Sequence, residues 1–221
     1  MQYISFIIIS FILLSIQIYL GSNSLKDNIE KNFGAIFLKG FYRLIYIIIS
    51  IIIYFIIFKI FLSLPVTVLF KLEDSVSNLV FLIIDTIRFV ALFLVIEAIW
   101  ELDLYEFFGF KQLWFILTKK DINLFKRNRI RENDFTPRGL YLRHQQPVYF
   151  YIILFFLLDR HLTVNNLVFL LVFIPYFYIN TNHQEKRLLE DYGDSYQNYK
   201  SKVRKFIPML KRYLSHEHPK K

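Results

Sequence analysis

The sequence predicts an all-α integral membrane protein of about five transmembrane helices, with a C-terminal helical hairpin and a cytoplasmic helical tail. Three observations predict it. Hydrophobic residues make up 55% of the 221 and 25 are Phe, against roughly 45–50% apolar residues in a soluble domain. Charged residues are only 20%, and they cluster outside apolar runs long enough to span a bilayer. The Lys and Arg clusters also fall where a single topology would place them all on one side.

Composition removes several other classes. The hydrophobicity excludes disorder and argues against an ordinary soluble enzyme. Without Cys there is no disulfide framework, thiolate nucleophile or zinc–thiolate site. A net charge of +9 on such a chain marks a cytoplasmic membrane face rather than nucleic-acid binding.

The elements follow in order. Tyr3–Leu20 is a first span; with no basic n-region and no small-residue cleavage site, it reads as a retained helix. Leu44–Leu64 is a second, stopped by Pro65, and Leu79–Trp100 a third. Val148–Leu158 and Val164–Ile179 form a hairpin around the turn Asp159–Thr163. Val148–Leu158 is too short to cross alone, so either Tyr141–Gln146 extends it or it enters the bilayer partway. The mixed stretches Pro65–Asn78 and Tyr105–Leu117 fit amphipathic helices lying in the interface. From Asn182 to Leu214 the tail is charged, aromatic and helical, broken at Gly193 and ended by Pro208. Its stripe Leu188, Tyr192, Tyr196, Tyr199 and Val203 should pack against the membrane domain. Lys and Arg concentrate after the third span and in the tail, giving an extracytoplasmic N-terminus and a cytoplasmic C-terminus. The absence of retention or transit signals leans towards a bacterial inner membrane.

Within the third span, Asp85 and Arg88 lie three residues apart and can pair along one helix face. Glu97 and Glu101 read as an acidic helix end facing basic loops.

Familiar site patterns are missing. The six glycines are scattered, which excludes a Rossmann loop and a P-loop. There is no HExxH or GxSxG. His216 and His218 lack a third ligand, and no metal site is expected. What remains is a polar constellation at the hairpin mouth: Gly139 to Tyr149 on one limb and Asn182 to Leu188 on the other. The hairpin should bring Arg143 and His144 near His183 and Glu185. Arg and His suit a carboxylate, Glu an amine or ribose hydroxyls, and tyrosines a base. Spacing alone favours an Arg/His/Glu cluster that only anchors helix ends at the headgroup level, since interfacial Arg, Tyr and His are common.

Gly139-Leu140-Tyr141, Arg143-His144 and Pro147-x-Tyr149 together resemble the G-L-Y-x-x-x-R-H-P-x-Y signature of the isoprenylcysteine carboxyl methyltransferase-like family. The tail from Glu185 through Leu188, Tyr192-Gly193, Tyr196, Tyr199 and Val203 to Ile207-Pro208 resembles that family's E-E-x-x-L-x-x-x-F-G-x-x-Y-x-x-Y tail. Asp103-x-Tyr105-x-Phe107-Phe108-Gly109-Phe110-Lys111-Gln112 is similar to a stretch of the methanethiol S-methyltransferase and NnrU-like branch.

The resemblance implies an integral membrane methyltransferase using S-adenosyl-L-methionine. Its N-terminal transmembrane part would be residues 1–102 and its methyltransferase-like core 103–221. Cofactor binding would fall to Arg143, His144, Tyr149, His183, Glu185 and Tyr196. Arg204, with Glu185, would serve the transfer and orient the acceptor. The implied acceptor is a lipid, a prenylated cysteine carboxylate or a small thiol that partitions into the bilayer. Two departures stand out: Gln145-Gln146 separates His144 from Pro147, and Gln184 replaces the first tail Glu. Two extra residues in a helix turn later side chains by roughly 200°, so Arg143-His144 and Pro147-Tyr149 should not both keep their places. The competing readings are an NADPH-dependent membrane reductase of the steroid 5α-reductase-like type and a homologue that has lost catalysis.

Overall fold

The computed structural model describes residues 1–34, 37–71, 78–101, 110, 114, 117–118 and 135–209. Most of Tyr105–Leu117, and His216 and His218, lie outside the described residues. The elements are α1 (Gln2–Gly21), α2 (Asn23–Phe33), a π-helical turn (Leu38–Tyr42) leading into α3 (Arg43–Leu62), β1 (Val68–Lys71) and α4 (Asn78–Trp100). After them come a 3-10 turn (Gly139–Leu142), α5 (Pro147–Leu157), β2 (His161–Thr163), α6 (Val164–Tyr192) and α7 (Asp194–Lys202). The protein is an all-α membrane protein: α1, α3, α4 and α6 are long and apolar enough to cross a bilayer, and α5 is a shorter apolar helix.

The core lies where α1, α3 and α6 meet. It is built from Phe6 and Leu14 of α1, Ile53 and Ile57 of α3, and Val168, Val172, Phe173, Tyr176 and Phe177 of α6. On α1 the buried stripe is Phe6, Ser10, Leu14 and Gln17, at helical spacing. Most of the remaining Ile and Phe of these helices face outward, as lipid-facing positions do. The buried positions of α4 are only Ala91 and Ala98; such small residues let backbones approach closely, and α4 packs against α5.

Several expectations are corrected. Pro65–Asn78 does not form an amphipathic helix over its described part. Residues Val68–Lys71 make a strand antiparallel to His161–Thr163, with Val68 opposite Thr163 and Lys71 opposite His161. The same strand explains how the short hairpin limb gains length. Tyr141–Gln146 does not extend α5, because Gly139–Leu142 is a separate 3-10 turn and Pro147 opens the helix at its first position. The 11 residues of α5 reach about 16 Å at 1.5 Å each. The extended segment beyond them adds about 3.3 Å per residue. β1 supplies hydrogen bonds to that extended backbone, which a low-dielectric setting demands. Thr163 then caps α6 by accepting the Asn166 N–H at 3.2 Å. In turn α6 runs unbroken from Val164 to Tyr192, so the fifth span and the first half of the tail are one helix. Gly193, at φ 52°, makes the break expected there, and α7 ends at Lys202, well before Pro208. Helix α2, which the sequence did not disclose, is capped by Ser22 accepting from the Leu25 N–H.

Asp85 and Arg88 do not pair with each other. Asp85 takes a two-point contact from Arg160, whose Nε donates to Oδ1 at 2.8 Å. Arg88 instead pairs with Asp159 at 3.3 Å, and Asn166 Nδ2 donates to the other Asp159 oxygen at 3.0 Å. Arg88 also lies over the Phe155 ring and Arg160 over the Phe81 ring. Two intrahelical neighbours thus become two interhelical pairs that fasten α4 to the hairpin turn. A double-mutant cycle checks this: Asp85→Ala and Arg160→Ala should each cost about 1–3 kcal/mol and couple strongly. Coupling of Asp85 to Arg88 instead, read in thermal unfolding of the detergent-solubilised protein, would contradict it.

Candidate functional site

The site is built where the start of α5, the far half of α6 and the segment after α7 converge. The Gly139-Leu140-Tyr141 triplet positions the first of these. At Gly139 (φ 47°) the Glu101 carboxylate occupies the space a Cβ would need. The same carboxylate accepts the Leu140 N–H at 3.0 and 3.1 Å, and the Tyr141 hydroxyl donates to Ala98 O at 3.3 Å. The triplet therefore docks the loop onto the end of α4, and only glycine fits its first position. Burial raises the Glu101 pKa above its ordinary value.

Gln145 and Gln146, the two extra residues, are buried and not helical. Their backbone N–H groups donate to Arg204 O at 2.9 Å and Lys205 O at 3.0 Å. Gln145 Nε2 donates to Val203 O at 2.6 Å, and Gln146 Nε2 to Gln184 Oε1 at 3.2 Å. Because they precede Pro147, the rotation expected of a helical insertion does not arise. Tyr149 accepts from Asn180 Nδ2 at 2.7 Å and Gln184 Nε2 at 3.1 Å, and stacks on Phe177 with centroids 4.4 Å apart.

His144 is fully buried (0% exposed). Its Nδ1 lies 2.9 Å from Phe206 O. A carbonyl only accepts, so Nδ1 carries the proton. The other nitrogen, Nε2, is then an acceptor, and it is buried without a partner. Gln145 Oε1 and Thr181 Oγ1 are also buried without partners. Burial, foremost, lowers the His144 pKa, with the Arg143 charge adding to it. The unfolded chain then holds more protons than the folded one below an ordinary pKa of about 6.5. Stability should be complete above that pH and fall as pH drops through the window beneath it. His144→Gln should flatten this acid-side slope in thermal unfolding; an unchanged slope would show that His144 is not its source.

Glu185 is 5% exposed, and each of its oxygens has a lysine ammonium at 2.7 Å, Lys200 on Oε2 and Lys205 on Oε1. Lys205 also donates to Asn182 Oδ1 at 2.9 Å. The tail folds back over this pair: Tyr196, Tyr199 and Val203 pack with Phe135, Leu142 and Leu188, and the Tyr199 hydroxyl donates to Tyr141 O at 2.7 Å. Burial, then the Glu185 carboxylate, pushes the Tyr196 pKa up, so its phenol stays protonated.

The four buried or part-buried candidates have separate partners: His144 meets Phe206 O and the Phe150 and Tyr151 rings, Tyr149 meets Asn180, Gln184 and Phe177, Glu185 meets Lys200 and Lys205, and Tyr196 lies in the tail cluster. Arg143, His183 and Arg204 are exposed; their neighbours at the site are Gln145, Gln184 and Lys205. Tyr196 packs edge-on to Phe135 with centroids 5.0 Å apart, inside the tail's own core. Sequence reasoning missed Lys200, Lys205, Thr181 and the glutamines. The signal for Lys205 is structural. After α7 the chain is extended at Val203 (φ −112°, ψ 128°), and extended residues alternate sides. Val203 is buried and Arg204 exposed, so Lys205 is the cation that turns inward.

No family model matches the chain and no solved structure matches it. The chain is 29% identical over 119 residues to a methanethiol S-methyltransferase from Pseudomonas deceptionensis, an alignment covering 54% of this chain and 42% of that protein. The aligned part thus spans less than half of that relative's length, and the chain is similar to it as a distant relative.

Proposed function

We propose that the protein is a membrane methyltransferase dependent on S-adenosyl-L-methionine, with its cofactor site at the junction of α5, α6 and the tail. The distant likeness to a methanethiol S-methyltransferase supports a methyltransferase of a related family, and the motif resemblance points the same way. Two observations support the cofactor assignment: the buried, unpartnered atoms His144 Nε2, Gln145 Oε1 and Thr181 Oγ1, and the buried Glu185 carboxylate between two lysines. Leaving such groups unpaired costs about 1–3 kcal/mol each. Acceptors and a carboxylate match a ligand rich in N–H and O–H donors, and the lysines match a carboxylate. An amino-acid zwitterion carrying ribose hydroxyls offers both, so the residues fit the group.

When bound, the cofactor supplies a sulfonium-activated methyl group. Transfer is then a direct displacement that needs alignment and exclusion of water more than an acid–base pair. The chain's residues serve those needs. Glu185 and His144 Nε2 accept hydrogen bonds and orient the ligand, the lysines balance its charge, and the Tyr196–Tyr199–Val203 cluster shields the site. Arg143 and Arg204 belong to the rim of the same site, where rearrangement of their long side chains brings them to a ligand; His183, exposed and about 200° around α6 from Glu185, faces away from it. The acceptor is a lipophilic molecule or a small thiol or carboxylate. The Lys and Arg distribution supports an extracytoplasmic N-terminus and a cytoplasmic site; reporter fusions after Met209 should be active only with a cytoplasmic reporter.

The test is methyl transfer itself. Membranes carrying the protein, given S-adenosylmethionine labelled in its methyl group and a panel of thiols and lipophilic carboxylates, should yield labelled product, and Glu185→Gln membranes should not. Oxidation of NADPH by the same membranes without methyl transfer would overturn the proposal in favour of a reductase.

A further inference from the structure

Helix α2 carries a surface that the candidate site does not use. Leu25, Ile29 and Phe33 follow one another at four-residue intervals, so they share an arc of about 80° on the helix. Asn23, Ser24, Asp27 and Lys31 fill the opposite side. None of the 11 residues of α2 is buried. Leu25 and Ile29 are half-buried, and Phe33 is 68% exposed. A helix this short is marginal by itself in water, so its apolar arc needs a surface to lie on.

The position of α2 says which surface. Helix α1 ends at Gly21, and Ser22 turns the chain into α2. The Tyr42 hydroxyl donates to Leu20 O at 2.5 Å, which ties the start of α3 to the end of α1. Helix α2 packs on α1 and on the π-helical turn, so it lies at the membrane face where α1 ends and α3 begins. Gly34, at φ 84°, closes α2. Around it three rings step towards α3: Phe33 to Phe37 with centroids 5.4 Å apart, then Phe37 to Phe41 at 6.2 Å. From Phe41 the exposed residues Ile45, Ile48, Ile52 and Phe55 continue along α3, three or four residues apart. The strip that faces lipid on a membrane-crossing helix therefore runs on into the exposed end of α2.

We propose that α2 is an interfacial helix docked on the bilayer itself. It lies in the membrane plane, with Leu25, Ile29 and Phe33 at the boundary of headgroups and acyl chains and its polar side in water. Lipid is the occupant because the apolar arc continues a surface that lipid already covers. The charges on α2 are two cations, Lys26 and Lys31, and two anions, Asp27 and Glu30. Insertion therefore rests on the apolar arc, without the attraction to anionic headgroups that Lys- and Arg-rich segments use. The proposal depends on α1 and α3 crossing the bilayer and not on the methyltransferase reading.

Spin labels on the full-length protein in nanodiscs test it, since a chain without Cys accepts single cysteines at chosen positions. The labels go on Phe33→Cys, on Ile29→Cys (which keeps Phe33), on Lys31→Cys and, within the span, on Ile48→Cys. Each is read by its accessibility to oxygen, which partitions into lipid, against a water-soluble nickel chelate. Labels at 33 and 29 should favour oxygen and lie about 5–10 Å beneath the headgroup phosphates, and the label at 31 should favour nickel. The label at 48 should lie deeper than all three, which reports that α3 crosses. The depths should be the same in phosphatidylcholine and in phosphatidylcholine mixed with phosphatidylglycerol. Labels at 33 and 29 that favour nickel as the label at 31 does would overturn the proposal. Shielding of both from oxygen and nickel alike would also overturn it, and would assign the arc to a second copy or another segment of the chain. Insertion seen only with phosphatidylglycerol would contradict docking by the apolar arc.

Discussion

Ending the chain at Tyr192 is expected to weaken S-adenosylhomocysteine binding by more than about 100-fold and to lower thermal stability markedly. The cut removes Lys200 and Lys205, leaving a carboxylate only 5% exposed without its two counter-ions. Breaking a buried ion pair from one side costs roughly 3–5 kcal/mol, and a hundredfold change in affinity is about 2.8 kcal/mol. The cut also takes away Phe206 O, the partner of His144, and exposes the Leu142 and Phe135 surface that the tail covers. Lys205→Ala separates site chemistry from folding, because it keeps the tail and its tyrosine cluster in place; about tenfold weaker binding is expected from it. Undiminished binding by the truncated chain, measured by calorimetry in detergent, would reduce the tail to a surface anchor.

Deleting Gln145 and Gln146 should be the most damaging small change. The pair supplies two backbone hydrogen bonds to Arg204 and Lys205 carbonyls, and its side chains reach Val203, Lys200 and Gln184. At about 1 kcal/mol per bond the deletion should cost about 3–5 kcal/mol and release the tail from the α5 start. Limited proteolysis would then cut near residues 200–209, which the parent protects. The two glutamines would instead be a late encumbrance if their removal tightened S-adenosylhomocysteine binding.

Much of the fold was legible because the bilayer imposes long apolar helices, and the runs of Ile and Phe could be nothing else. The break at Gly193 and the packing stripe of the tail were readable from local rules, glycine conformation and helical spacing. What sequence could not show was non-local. Nothing in Pro65–Asn78 announces that it pairs with the hairpin turn, since strand partners are chosen in three dimensions. Asp85 and Arg88 obey the helix-neighbour rule, yet Arg160 and Asp159 offer them interhelical partners that also fasten the hairpin. From motif and chemistry the sequence offers His144, Tyr149, Glu185 and Tyr196 as candidates. Arg204 was named because the family resemblance puts a basic residue before the final Ile-Pro; that Lys205 is the one turned towards Glu185 shows only in the structure. The glutamines were read as a disturbance of helical phase because the start of α5 at Pro147 was not yet fixed. Buried glutamine amides bonding to tail carbonyls carry no sequence signature.

The most direct measurement is titration of the full-length protein, purified in detergent, with S-adenosylhomocysteine and separately with NADPH. S-adenosylhomocysteine should bind at one site, about ten- to a hundredfold more weakly in Glu185→Gln, and NADPH should not compete. Binding of NADPH in place of S-adenosylhomocysteine, or S-adenosylhomocysteine binding that is unchanged in both Glu185→Gln and Lys205→Ala, would contradict a methyl-donor site at the junction of α5, α6 and the tail.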